Sequence, residues 1–294
     1  KTAPVTSWDG NNSWQTNNAN IHLTCSDGNG SGCSVTKYRL DTNSASGVLY
    51  GSWQTYDQNI FVQADGNWAI DFNSTDAVGR IETTNTSYLL IASAAPVTSW
   101  SGDNNVWKTS AQSVTLSCTD VVSGCSSTKY RLDSDSTVSV SYGNWTTYSS
   151  AIVFSDDGNF AIDFNSTSVA GVVESKNTKY LLVDSNKAST RWDGSNGVWQ
   201  TGAVSVALTC SDLLSGCSTT RYRLDTDASS TISYGSWLTY SSAVSFNSDG
   251  NWALDFNSTD VAGNVGDINT HFVLLDRVAP STSWSGDNNT WRSS

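Results

Sequence analysis

The sequence predicts an all-β protein built as a tandem array of β-sandwiches. Three observations carry that prediction: a strict internal repeat, strand-period alternation, and paired cysteines in phase with the repeat. Trp8, Trp100, Trp192 and Trp284 are spaced by 92 residues, as are Tyr38, Tyr130 and Tyr222, and Asn73, Asn165 and Asn257. The phrases TKYRLD, TKYRLD and RYRLD recur, followed by YGSW, YGNW and YGSW and then by DFNST three times. A unit of 92 residues is near the size of one sandwich domain. The expected domains are therefore 1–93, 94–185 and 186–277. Residues 278–294 repeat the N-terminal segment and begin a fourth copy. A chain ending there implies a longer array, or a docking strand that completes a neighbouring subunit.

The second repeat shows the elements in order. PVTSW, with Pro96, reads as an extended edge segment. SVTLSC alternates Val114, Leu116 and Cys118 against Ser and Thr, the pattern of one half-buried strand. TKYRLD places Tyr130 and Leu132 inward and Lys129 and Arg131 outward. STVSVSYGNWTTY reads as one or two further strands turning at Gly143. AIVFSDDGNFAIDFNST reads as a hairpin turning at Asp157-Gly158. Its return strand sets Phe160, Ile162 and Phe164 on one face and Ala161, Asp163 and Asn165 on the other, which puts Asp71, Asp163 and Asp255 opposite the core. TKYLLVDS closes the domain. About seven short strands with regular turns, and no sustained helical period, predict an immunoglobulin-like two-sheet sandwich. The joints IASAAPVTSW, VDSNKASTRW and LDRVAPSTSW are short, which predicts a semi-rigid, rod-like array.

Composition narrows the function classes. Net charge is −12, so a nucleic-acid partner would be repelled. No run approaches the ~18 apolar residues of a membrane-spanning helix. There are two histidines, His22 and His271, and neither recurs between repeats. No nucleophile elbow, zinc-protease, phosphate-loop or dinucleotide motif appears, so no enzyme activity is expected.

The six cysteines fall two per repeat: Cys25 and Cys33, Cys118 and Cys125, Cys210 and Cys217. Each pair brackets a turn-rich stretch: SDGNGSG, TDVVSG or SDLLSG. Pairing within each repeat is the simplest reading; the alternative is three pairs of free buried thiols. The first bracket is one residue longer, yet the 92-residue frame resumes after it, as a loop allows and a strand does not. Disulfides persist in oxidising compartments, so the expected location is extracellular or at the cell surface.

The most specific residues are Ser215, Gly216, Tyr222 to Asp225, Trp237, Tyr240, and Ser258 to Asn264. Together they resemble bacterial Ig-like repeats of the OmpL47 type. The likeness covers every repeat, with two departures. A Cys stands where the family has Val after Ser-Gly. The AGN phrase is intact only in the third repeat; Ala77–Arg80 reads AVGR, and the second repeat reads VAGV. The resemblance implies a surface-exposed spacer or adhesive stalk and no catalysis.

Three kinds of candidate site remain. Asp27, Asp120 and Asp212 follow the first cysteine of each repeat, and Asp41, Asp133 and Asp225 follow YRL. Clustered Asp and loop carbonyls can supply the oxygens calcium needs. The same residues also stabilise turns by binding their own backbone, and none fits an EF-hand. The Trp residues Trp8, Trp100, Trp192 and Trp284, with Trp53, Trp145 and Trp237, suit core and interface packing; exposed rings would stack on glycans. Among Asn-x-Ser/Thr sequons, only the one in DFNST recurs, making Asn73, Asn165 and Asn257 the glycosylation candidates. A strand-end Asn bonding its local backbone is the alternative. The expected function is a structural segment of an extracellular filament, stalk or sheath, partnered by neighbouring copies of the same protein. The rival is a cell-surface adhesin array binding calcium or carbohydrate.

Overall fold

A computed structural model of the chain describes residues 2–41, 47, 49–133, 140–226, 231–285 and 291. The described residues hold 27 strands, nine to a repeat, and no helix. The excess over seven comes from short pieces. The chain forms two compact units, one of residues 1–106, 113–154 and 159–181, the other of residues 107–112, 155–158 and 182–294.

In the first repeat the strands are β1 (Val5–Trp8), β2 (Trp14–Gln15), β3 (Ala19–Ile21), β4 (Leu23–Ser26), β5 (Cys33–Asp41), β6 (Gln54–Thr55), β7 (Ile60–Val62), β8 (Gly66–Asp76) and β9 (Asn85–Ile91). One sheet has the order β2-β9-β8-β5-β6. Within it β2 runs parallel to β9, with Trp14 opposite Leu90. The facing layer pairs β1 with β4 and β3 with β7. The third repeat has the same arrangement from Ser189–Trp192 to Asn269–Leu275.

The β5·β8 register sets both faces. Tyr38 lies opposite Phe72 and Leu40 opposite Ile70, while Arg39 lies opposite Asp71 and Lys37 opposite Asn73. The first two pairs point into a core of Ala19, Ile21, Leu23, Ile60, Val62, Leu89 and Ile91, and the other two point out. The second repeat pairs Tyr130 with Phe164 and Arg131 with Asp163 in the same register.

Three details depart from the sequence expectations. The predicted strand SVTLSC is broken at Thr115, between Gln112–Val114 and Leu116–Thr119. The cause is Ser101: its N–H donates to Thr115 O, and its hydroxyl accepts from Thr115 N. Asp9 and Asp193 hold His22 and Ala207 in the same way. The break lets the strand change partners midway. The predicted Asp-Gly hairpin is instead a crossing between layers: in the first repeat β7 pairs with β3, while β8 pairs with β5 and β9. Opposite sheets thus bury the two alternating runs. Lastly, residues 140–145 form no strand, and only Thr146–Thr147 pairs with the sheet; residues 134–139 lie outside the described ones.

Trp8, Trp100 and Trp192 sit against Phe72, Phe164 and Phe256 at centroid distances of 6.5, 6.4 and 6.2 Å. Their rings fold back over Gly10, Gly102 and Gly194; a Cβ at Gly10 would fall 2.3 Å from the Trp8 ring. Trp284 departs from this packing and is 79% exposed. Residues 281–284 join no strand.

The first strand is also latched. Glu82 accepts from Thr6 N, Thr6 Oγ1 and Ser74 N, and Glu174 does the same for Thr98 and Ser166. In the third repeat Gly266 stands there, leaving the Thr190–Ser258 hydroxyl bond of 2.8 Å that the other two repeats also make between Thr6 and Ser74 and between Thr98 and Ser166.

Disulfides join Cys25–Cys33, Cys118–Cys125 and Cys210–Cys217. The second cysteine of each pair lies at a β-bulge, where the register shifts by one residue. Replacing both Cys210 and Cys217 by Ala should lower unfolding free energy by about 2–3 kcal/mol, the entropy of so short a loop, measured by urea denaturation.

Candidate functional site

The disulfide loop and the connection after the eleven-residue strand meet at one end of each repeat. Ala77, Val169 and Val261 donate their N–H to Gly32, Gly124 and Gly216 O at 2.8–2.9 Å. Those glycines have φ of +87°, +82° and +83°, in open space, which explains the Ser-Gly of the repeat phrase. The aspartates proposed for calcium frame this loop. Asp120 Oδ1 accepts from Val122, Ser123 and Gly124 N at 3.1, 2.7 and 2.8 Å. Burial opposes the charge on Asp120, but these backbone donors outweigh it and lower its pKa. Asp27 Oδ2 accepts from Gly32 N, and Asp212 Oδ1 from Leu214 and Gly216 N. Asp41, Asp133 and Asp225 are buried elsewhere. Their Oδ2 atoms accept from Leu49, Ser141 and Ser233 N, bracing the loop after YRL.

Asp212 is the one member of these six in a group of three acidic side chains that could hold a metal ion. Among the described residues, Asp184, Asp212 and Asp260 bring one carboxylate oxygen each within 4.8 Å of one another. Asp184 and Asp260 are buried and Asp212 is half-buried. Repeat-related positions carry other residues. The counterparts of Asp184 and Asp260 are Ala92, at the end of the first repeat, and Ser168 in the second. In the first, Asp76 binds Arg80, at 3.1 Å.

A second cluster recurs on the outer sheet face. The guanidinium of Arg39 donates through Nε and Nη2 to Asp71 Oδ2 at 3.0 and 2.7 Å. It lies 4.4 Å from the centroid of Tyr50 and 4.8 Å from that of Trp53. Arg131 with Asp163, Tyr142 and Trp145, and Arg223 with Asp255, Tyr234 and Trp237, repeat the pile. The YGSW segments therefore lay a cation–π lid over a buried carboxylate. Burial raises the Tyr50 pKa, and its hydrogen bond to ionised Asp71 raises it further, to about 12; Tyr142 is pushed up to about 12 by burial and Asp163. Burial works against ionised Asp71 and Asp163. Donors nonetheless hold both below the usual range: Thr86, Tyr50 and Arg39 for Asp71; Thr178, Arg131, Lys176 and Tyr142 for Asp163. Trp53 and Trp145 keep 37% and 40% exposure, so each ring offers solvent part of its surface.

The recurring sequon is largely consumed by local bonds. Asn257 is 2% exposed; its Nδ2 donates to Gly266 O, and its Oδ1 accepts from Arg221 Nε. A glycan on Asn257 would displace both contacts. Asn73 and Asn165 are half-buried, and their Nδ2 atoms donate to Thr84 Oγ1 and Glu174 O. His271, which recurs in no other repeat, has a packing role that its sequence position does not show. Its ring packs edge-on against Trp192 and Phe256 at 4.7 and 5.2 Å, and burial lowers its pKa below 6.5.

No family model and no curated protein matches the chain. It is similar to the solved three N-terminal domains of the bacteriophage RB49 highly immunogenic outer capsid protein (Hoc), at 8% identity over 94% of this chain and 99% of that one, with a TM-score of 0.41. Against the FN1–FN3 domains of chicken CNTN1 the identity is 10%, over 93% of this chain and 98% of that one, with a TM-score of 0.30. Against the fibronectin(III)-like modules of Clostridium thermocellum CbhA it is 13%, over 61% and 94%, with a TM-score of 0.28. Likenesses this distant carry no functional argument.

Asp163→Asn should cost about 3 kcal/mol in denaturant unfolding, because it strands Arg131 beneath its aromatic lid. Thermal melting should also fall off at both pH extremes. His271 is held neutral in the fold, so its contribution is complete above pH 6.5 and is lost as pH falls below it. The contributions of Asp71 and Asp163 follow below 3.8. The raised Tyr50 and Tyr142 pKa values make stability fall again as pH climbs from 10 towards about 12.

Proposed function

We propose that the chain is a structural segment of an extracellular filament, stalk or sheath, partnered by neighbouring copies of the same protein. One observation carries this reading. The polar and aromatic side chains kept in every repeat are engaged in holding the repeat together. The Arg–Asp–Tyr–Trp pile, the Trp over its glycine, and the loop aspartates all have internal partners. Three disulfides support export to an oxidising compartment. The resemblance to OmpL47-type surface repeats supports a spacer role at the cell surface. The domain bounds proposed are those of the 92-residue frame, with 278–294 opening a fourth copy. Docking of that tail on a second copy would require strand exchange, since Leu23–Ser26 is already paired with Val5–Trp8. Small-angle scattering and electron microscopy of the purified chain test the reading. Extended particles with fixed spacing between repeats are expected; freely tumbling domains would overturn it.

A second reading, an adhesive array needing calcium, draws on Asp184, Asp212 and Asp260. Among the described residues, only there do three acidic groups converge. Melting of the chain with calcium and with chelator is the test, and an unchanged melting temperature would count against structural calcium.

A further inference from the structure

The joint 184–188 is held from the third repeat by bonds that joint 92–96 lacks on its corresponding side. Asp184 is fully buried, and its carbonyl accepts from Asn264 Nδ2 at 2.8 Å. The same Nδ2 donates to Asp260 Oδ2 at 2.9 Å, which fixes the amide. Asp260 Oδ1 in turn accepts from Gly263 and Asn264 N at 2.7 and 2.8 Å. Asp184 Oδ2 accepts from Ser215 N at 3.0 Å, tying the joint to the disulfide loop. Lys187 Nζ lies 2.6 Å from Asp267 Oδ1. Ala188 is buried, as its counterpart Pro96 is, but here the carbonyl comes so near Gly266 that a Cβ there would stand 2.4 Å away.

The other end of the joint is held too. Asp157 accepts from Ser185 N and Oγ at 2.9 and 3.0 Å, and from Asn186 Nδ2 at 2.6 Å. Joint 92–96 keeps that half alone: Asp65 accepts from Ser93 and Ala94 N. Its other half is changed position by position. Ala92 stands for Asp184, Ala95 for Lys187, Val172 for Asn264, Glu174 for Gly266 and Ser175 for Asp267. Among the described residues, no hydrogen bond or ion pair joins 92–96 to residues 120–124 or 168–175.

We propose that Asn264 is a positioning residue that locks joint 184–188 onto the third repeat, making this joint stiff where joint 92–96 is free on the corresponding side. The AGN phrase, intact only in the third repeat, would on this account be a joint latch. The latch consists of hydrogen bonds and one ion pair and needs no cation and no ligand.

Cleavage by a lysine-specific protease, in chelator, reads joint opening directly, because Lys187 lies inside the latch. Ala94→Lys places the same target in the first joint, with Ala95 after it, because a lysine at 95 would precede Pro96 and resist cleavage. Peptide mapping separates both from cuts at Lys176 and Lys179. In the Ala94→Lys protein, Lys187 should be cut about tenfold more slowly than the lysine introduced in the first joint, the protection expected from roughly one net hydrogen bond. Adding Asn264→Val, the residue of the second repeat, should raise the Lys187 rate by a similar factor and leave cutting at the introduced lysine unchanged. Hydrogen exchange over Gly250–Asp260 checks that the third repeat stays folded; Asn264→Ser is the milder variant if Val disturbs it. Equal cutting of both joints, or a Lys187 rate unmoved by either variant in a folded third repeat, would overturn the proposal.

Discussion

The register between the nine-residue strand and the eleven-residue strand is the constraint on which the rest depends. It sets Tyr38 opposite Phe72 and Arg39 opposite Asp71 at once. A slip of one residue would send Arg39 and Asp71 into the core and Tyr38 and Phe72 out to the lid, so both faces oppose it. A buried ion pair contributes little net stability, because desolvating two charges offsets most of their attraction. Its larger role here is specificity. Thr86, Tyr50 and Arg39 all converge on Asp71, and no neighbouring register satisfies them together.

The repeats preserve this constraint while changing what surrounds it. Glu82 and Glu174 latch the first strand in two copies, and Gly266 removes the latch in the third. That exchange makes room for Ala188 O close against the sheet. Arg80, Val172 and Asn264 occupy one position and serve three ends: an ion pair to Asp76, no polar side-chain contact, and an amide shared by Asp184 and Asp260. Inside each module the residues are held nearly constant; at its ends they diverge.

That division explains what could be read from the sequence. Period-two alternation placed Tyr130 and Leu132 inward and Arg131 and Asp163 outward, because a pleated strand leaves no other choice. The interruption at Thr115 was not legible, since it comes from a hydrogen-bonding residue fourteen positions earlier, Ser101. Nor was the crossing at Asp157-Gly158, where both flanking runs alternate just as a hairpin's would. The trio Asp184, Asp212 and Asp260 escaped for another reason. Asp184 is replaced by Ala92 at the end of the first repeat and Asp260 by Ser168 in the second, so a search for residues kept in every copy passes over them.

One pairing has a mechanical consequence. Trp14 and Gln15 run parallel to Leu90 and Ile91, and Trp199 and Gln200 to Leu274 and Leu275. In a parallel pair, tension applied to the two ends of a module pulls the strands past each other along their length. The bonds between them are then loaded in shear and share the force, whereas antiparallel partners pulled from one end would peel apart singly. The disulfides enclose only six or seven residues away from this path, so they withhold almost no chain when a module gives way. A module paired this way resists up to a threshold and then lengthens by nearly its full contour.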